Sequence, residues 1–363
     1  MRNAPETDLA DLEIHPLQRQ DEADVVELMR LALYGRDFPD LPGYWRWKHY
    51  DNPFGESFGL VARAGDQIVA VRAFMNWHLC GGGRLLRVGR AVDMAVHPEW
   101  RRRGVFERMT LALLEPMTAE GLVLTFNTPN AMSLAGYLKM GWAHPGRLPL
   151  RVKIRRPLRT TVRVGRTLLT RVIGGGVSQG GGGQALQGNV DNSRVLRLLR
   201  DPAVVELVQR AREAQLVAIS PRSTAFRLRT ALGQEYLEWH YGKNRWYPYA
   251  ATYEAQGPAA ALVIGRLRQR AGLVELLLTE VVTCPGRRGR ALVARAAARL
   301  ARETRADYLV TSALGGTPGA LRGYIPVGRR GVDVTVRLLE STLTVDPSTW
   351  AGWAAGIGDF ELF

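Results

Sequence analysis

The chain reads as an α+β protein in two parts, each a mixed, mostly antiparallel sheet flanked by helices. Its 363 residues are enough for two cores of ordinary size. Two glycine-turned hairpins lead into a strand, a basic turn and a helix, so antiparallel pairing is joined to a crossover within one sheet. The order of features between residues 44 and 142 then recurs between 236 and 324, the mark of a tandem duplication.

Residues 21–34, DEADVVELMRLALY, place Val25, Leu28, Met29 and Ala32 on one helical face. Residues 41–54, LPGYWRWKHYDNPF, set Tyr44, Trp47 and Lys48 on one side of a second helix. The rings there are expected to pack the domain edge, with an acceptor pocket as the alternative. Strands at 57–63 and 68–77 flank a hairpin turn, Ala64-Gly65-Asp66-Gln67. Gly81-Gly82-Gly83 turns a second hairpin into the strand that ends at Val96, because Pro98 cannot donate to a ladder. Arg101, Arg102, Arg103 and Gly104 follow, then a helical run from Val105 and Phe106. The first turn of that helix exposes unpaired N–H groups and the positive end of its dipole. With Gly104 admitting a close backbone approach, the turn can cradle a diphosphate.

Beyond Gly121 come a strand at 122–126 and a helix start at Thr128 or Pro129, with Asn130 a second possible cap. Asn130, Ser133 and Tyr137 share one face, opposite Met132, Leu134 and Leu138, and Gly141 ends the helix. Residues 143–157 are expected to supply the last strands of this part. Residues 158–194 thin from arginine into a glycine run that reads as a linker. Helical patterns occupy 194–200 and 201–214.

These motifs resemble the GNAT superfamily of N-acetyltransferases. A strand closing in Val-x-Pro before Arg101, Arg102, Arg103, Gly104 and Val105 is similar to its coenzyme A loop, and Phe106 departs from it, since a small residue is usual there. Asn130, Ser133, Tyr137, Lys139, Gly141 and Trp142 match its second motif. The resemblance implies an N-acetyltransferase using acetyl-CoA, or another acyl-CoA, as donor to a small-molecule amine, by direct transfer and without a metal. It also implies that residues 101–106, Asn130 and Ser133 hold the cofactor. The amides of Met94, Ala95 and Val96, on a strand splayed from its neighbour, would face the thioester carbonyl. Tyr137 becomes the general acid to the leaving sulfur, and Asp93 the candidate base, with a water chain or tail carboxylates as alternatives.

The second copy repeats the form and loses the chemistry. Tyr236, Trp239 and Asn244 repeat the spacing of Tyr44, Trp47 and Asn52. A strand at 273–282, Pro285, Arg287-Arg288-Gly289-Arg290-Ala291, a strand at 308–311 and Gly323-Tyr324 follow in the same order. Gly319 stands opposite Tyr137 and Ser312 opposite Asn130, so this half is expected to be a lid, a wall or a dimer surface. The expected division is therefore a catalytic GNAT domain at 1–157, a linker at 158–194, a degenerate GNAT-like domain at 195–340 and a docking tail at 341–363. The tail holds Trp350, Trp353, Asp359, Glu361 and Phe363. It is too apolar to float free. Simple docking on the body is expected; the alternative is the arrangement in the similar enhanced-intracellular-survival type of aminoglycoside acetyltransferase, where the terminal carboxylate enters the active site.

A net charge of +15 invites a nucleic-acid partner. That partner is not expected, because the charge is mostly arginine spread along the chain; only 147–171 is dense. This run supports an alternative reading with an acyl carrier protein as donor, and a non-catalytic GNAT-fold binding protein is the other alternative. No stretch reaches the roughly 18 apolar residues of a membrane span. The acidic, mixed N-terminus lacks a secretory signal. Cys80 and Cys284 show no metal or disulfide spacing, so a cytoplasmic protein is expected.

Overall fold

The computed structural model describes residues 12–157, 190–217, 226–270, 272–284, 286–315, 323–328, 330–340 and 343–361. Several sequence expectations fall outside them: the linker over 158–189, the basic run beyond 157, Pro285, Gly319 and Phe363.

In chain order the first half runs β1 (Glu13–Pro16), α1 (Glu22–Met29), α2 (Leu41–His49), β2 (Phe58–Ala64), β3 (Gln67–Gly81) and β4 (Arg84–Val96). It continues with α3 (Val105–Ala112), α4 (Leu114–Ala119), β5 (Leu124–Asn127), α5 (Ala131–Lys139), β6 (Ala143–Arg147) and β7 (Leu150–Ile154). The second half has α6 (Ser193–Leu199), α7 (Pro202–Leu216), β8 (Arg229–Thr230), α8 (Gln234–Leu237), β9 (Tyr249–Gln256), β10 (Ala259–Arg270) and β11 (Leu273–Thr283). After these come α9 (Arg287–Glu303), β12 (Tyr308–Ser312), β13 (Ile325–Pro326) and β14 (Asp333–Leu338).

These strands form two sheets, and the expected mixed α+β architecture is present. The first runs β1-β2-β3-β4-β5-β14-β6, with β8 added to β3; the second runs β13-β7-β12-β11-β10-β9. β3 and β4 pair antiparallel from the Gly81↔Arg84 turn to Ala70↔Val96. β4 and β5 pair in parallel, as do β11 and β12 in the second sheet.

The sequence suggested that 143–157 would complete the first sheet. β6 does so, but β7 crosses into the second sheet, between β12 and β13. In exchange β14, from the far end of the chain, lies between β5 and β6. Each sheet is thus finished by a strand from the other half. Both strands alternate apolar and polar residues (Leu150, Val152 and Ile154 in β7; Val334 and Val336 in β14), and a period of two names no partner.

The halves meet around an approximate twofold relation. The Trp47 and Trp239 rings stack at 4.8 Å with 20° between planes. Trp47 Nε1 donates to the Trp239 carbonyl at 3.1 Å, and Trp239 Nε1 donates to the Trp47 carbonyl at 2.8 Å. A surface that pairs with its own copy this way is isologous. The aromatic segment that sequence placed at a domain edge is therefore the seam between the duplicated halves. The tail docks as expected, with Trp353 and Phe360 buried against Phe126.

Candidate active site

The site grows from an irregularity in β4. Arg72 pairs with Met94 and Phe74 with Ala91, so Val92 and Asp93 together face Ala73 on β3. Such a bulge re-aims the side chains on either side of it. Pairing of β4 with β5 stops at Arg90↔Phe126, whereas β4 continues to Val96. From residue 91 onward, among the described residues, no strand pairs with β4 on its β5 side. Met94 and Val96 are half-buried there, and Ala95 is buried.

The basic turn follows. Pro98 opens a short 3₁₀ turn, Pro98–Trp100. Arg102 (φ +64°) and Gly104 (φ +78°) adopt the left-handed conformation, which costs an L-residue about 1–2 kcal/mol and glycine little. α3 begins directly at Val105. Arg101 and Arg102 are exposed, and Arg103 lies over the Trp100 ring at 5.0 Å. Arg101 also ties the turn to its surroundings, donating to the Val96 carbonyl and to the Ala32 carbonyl, each at 3.2 Å. Phe106, where the resemblance leads one to expect a small residue, meets Tyr137 edge to face at 5.3 Å. Gly136 makes the room, since a Cβ there would stand 2.9 Å from the Phe106 ring.

Asn130 and Ser133 cap α5 reciprocally. Asn130 Oδ1 accepts from the Met132 and Ser133 amides at 3.1 and 2.9 Å, and the Ser133 hydroxyl accepts from the Asn130 amide at 3.1 Å. Their nearest work is therefore at the helix start. Of the two faces of α5, the one that carries Tyr137 turns inward. Tyr137 points inward at 4 % exposure, and Met132 and Leu138 face out at 88 % and 43 %.

Sequence reasoning missed what holds Tyr137. Arg72 is buried, and its Nη2 donates to the Tyr137 hydroxyl at 2.6 Å while Nη1 donates to the Asp93 carbonyl at 3.2 Å. Its guanidinium also lies 4.2 Å from the Phe74 ring centroid. Arginine only donates, so the phenol accepts from it and keeps its own proton for another partner. Burial raises the Tyr137 pKa, and Arg72, followed by Asn127, pulls against that rise. Asn127 accepts in turn from Thr335 on β14.

Asp93 points to the other face. Its carboxylate is buried against α2 and the π-helical turn Arg30–Tyr34. Oδ2 meets Lys48 Nζ at 2.6 Å and His49 Nε2 at 2.9 Å, and Oδ1 accepts from the Tyr34 hydroxyl at 2.8 Å. Burial alone would raise its pKa. The Lys48 ammonium and the His49 ring overcome that and hold it well below the usual carboxylate range. Arg72 thus touches both Tyr137 and Asp93, which lie on opposite faces of the sheet.

The second half repeats the parting of strands, with parallel pairing ending at Leu277↔Val310. There the chain's own tail packs in. Ser312 Oγ donates to the Ala355 carbonyl at 2.8 Å, and Gly358 lies so close that a Cβ would stand 2.7 Å from the Thr279 carbonyl. The tail ends, among the described residues, at Glu361. Its carbonyl accepts from Arg90, the residue at which β4 and β5 part, and its carboxylate meets Arg266 at 2.7 Å.

Residues 13–144 match the family model described as "Acetyltransferase (GNAT) domain". This segment is a GNAT acetyltransferase domain. Solved structures extend the likeness in fold over most of the chain. A GCN5-related N-acetyltransferase from Anabaena variabilis superposes with TM-score 0.59 at 12 % identity, over 91 % of this chain and 73 % of its own. One from Kribbella flavida gives 0.54 at 15 % identity, over 91 % and 72 %. Eis1 from Mycobacterium abscessus gives 0.54 at 14 %, over 90 % and 73 %. No curated relative matches the chain in sequence. The GNAT domain thus carries the bulged β4, the basic turn and Tyr137, and the second half shares the fold with a tail packed in the corresponding gap. Among the described residues no helix is long and apolar enough to cross a membrane.

Proposed function

We propose that the GNAT domain transfers an acyl group, acetyl in the first instance, from coenzyme A to a small-molecule amine in a ternary complex. The observation that carries this reading is the pairing of an open β4 flank with a buried phenol that Arg72 fixes beside it. The residues present fit the coenzyme. Arg101, Arg102 and Arg103 and the first-turn amides of α3 would hold its diphosphate, and left-handed Gly104 leaves room for close backbone approach. The coenzyme supplies an acyl group activated as a thioester.

The chain's own contributions follow from its donors. On the flank of β4 away from β3 the amides of Met94 and Val96, with Ala95 between them pairing to β3, stabilise negative charge growing on a carbonyl oxygen; such preorganised donors are worth roughly 3–4 kcal/mol each. Tyr137 gives its hydroxyl proton to the departing sulfur. Arg72, donating to the same oxygen, stabilises the phenolate left behind. Asp93 is too well satisfied by Lys48, His49 and Tyr34 to take up a proton near neutrality; it anchors α2 to the bulge. The second half serves as a wall, since its own strand gap is packed with tail.

The test is thiol release from acetyl-CoA against a panel of amino sugars, aminoglycosides, amino acids and peptides. Tyr137→Phe should lower kcat at least about tenfold with little change in acetyl-CoA affinity by calorimetry. Unchanged turnover would remove Tyr137 from the reaction, and absence of acetyl-CoA binding by the wild type would remove the activity.

A further inference from the structure

On the side of the sheet away from Tyr137, one hydrogen-bonded chain runs from the β4 bulge to the half-buried start of β2. His49 Nε2 lies 2.9 Å from Asp93 Oδ2, and His49 Nδ1 lies 2.8 Å from Ser57 Oγ. The tautomer follows from the partners. Asp93 is an ionised acceptor clamped by Lys48 and Tyr34, so Nε2 must carry the hydrogen and donate to it. In the neutral ring Nδ1 is then a lone pair, and the only proton available to the contact at 2.8 Å is that of the Ser57 hydroxyl. The order is hydroxyl to imidazole to carboxylate. The ring cannot turn away: it is fully buried, its centroid lies 3.9 Å from that of Trp45, and the Ser57 amide donates to the His49 carbonyl at 3.0 Å. Ser57 follows exposed Gly55 and Glu56 and is itself half-buried, whereas His49 and Asp93 are buried, so Ser57 is the residue of the chain nearest solvent.

We propose that Ser57, His49 and Asp93 form a second, nucleophilic site that takes small acyl groups from activated carboxylic esters. A nucleophile hydrogen-bonded to a base that a third group orients is the general arrangement of acyl-enzyme chemistry. Ser57 Oγ bonds to the acyl carbon as its proton passes to His49 Nδ1. The bond from that carbon to the leaving oxygen breaks, and His49 returns the proton to the leaving oxygen. Water then gives a proton to His49 Nδ1 and its oxygen to the acyl carbon; the bond from that carbon to Ser57 Oγ breaks and His49 returns the proton to Ser57 Oγ, releasing a carboxylic acid and restoring Ser57 and the neutral ring. The charge formed on His49 is held by Asp93. This site is independent of the acyl-CoA reading, since it uses neither Tyr137 nor the basic turn.

The experiment mixes the full-length protein with p-nitrophenyl acetate, follows p-nitrophenolate by stopped flow, and maps the quenched protein by peptide mass spectrometry. A fluorophosphonate probe provides an independent label. The expected result is a burst of about one equivalent, with both acetyl and phosphonate on Ser57. Ser57→Ala should abolish both labels, and His49→Gln should slow them at least about tenfold, each with a far-UV spectrum like the wild type. No label on Ser57, or labelling at an unchanged rate in His49→Gln, overturns the proposal. If His49→Gln fails to fold, the peptide map of the wild-type chain and the Ser57→Ala result decide it.

Discussion

Arg72 does at one position what the motif residues do not. It touches both the Tyr137 phenol and the Asp93 carbonyl at the bulge. Arg72→Met should therefore lower kcat of acetyl transfer, and adding it to Tyr137→Phe should cost little more. The double-mutant cycle is expected to return a coupling of roughly 1–3 kcal/mol; simple additivity would mean that the two side chains act separately. Nothing in the sequence marks Arg72 among 49 basic residues, because its role arises from pairing across β3 and β4. Tyr137 was legible, since its motif is local. Asp93 was legible as a position, but its contacts with Lys48, His49 and Tyr34 were not, because α2 and the turn before it meet the bulge only in the folded chain. The duplicated half supplies the contrast. Glu280 lies three residues past Leu277, as Asp93 lies three past Arg90. There burial prevails over Arg229 and lifts the carboxyl to about 7 from its ordinary 4.5. A raised pKa means that the folded chain holds the proton more tightly. That stability is complete below about 4.5 and is lost as pH rises through about 7. Over the same interval Asp93 and Glu361, whose carboxyls are held low, contribute constantly. Glu280→Gln should gain on the wild type by up to about 3 kcal/mol between pH 5 and 8 in denaturant titrations. A pH-independent difference would show that Glu280 does not titrate there.

Among the elements, hairpins and the strand–turn–helix unit were readable because each is set by a few adjacent residues. Ala64-Gly65-Asp66-Gln67 and Gly81-Gly82-Gly83 turn where glycine and small polar residues allow it, and β2, β3 and β4 follow. The bulge was not readable, because Val92 and Asp93 look like any other alternating pair until β3 is laid beside them. On α5 the two faces were readable, but which one turns inward was not: Tyr137 is buried because Phe106, Trp142 and Arg72 surround it. The basic turn makes its own prediction. Gly104 sits at φ +78° immediately before α3, so Gly104→Ala imposes about 1–2 kcal/mol of strain on the conformation that presents the amides. Acetyl-CoA affinity measured by calorimetry should fall roughly tenfold, while the melting temperature shifts by only a few degrees. Equal affinity would place the diphosphate elsewhere.

The whole molecule is two copies closed around one another. The duplication was visible in the repeated Tyr, Trp and Asn spacing, and the seam between Trp47 and Trp239 is its physical expression. The exchange of β7 for β14 was invisible, since alternation gives a strand's faces and never its neighbour. It makes the first half dependent on the second. Thr335 holds Asn127, and Arg337 donates to the Met140 carbonyl while lying over Trp142. Residues 1–157 expressed alone should be insoluble or unfolded, with β5 and β6 lacking the strand between them. Two chains divided between 157 and 190 and expressed together should co-purify in equal amounts and recover acetyl transfer. A first half that folds and acts alone would show that β14 is dispensable. The exchange also sets the timing of biogenesis. Leu124 of β5 waits for Leu338, so the ribosome must deliver the chain through β14 before the GNAT sheet can close. Until then a nascent chain exposes the unpaired edges of β5 and β6, so folding is expected to be slow for a chain of this size.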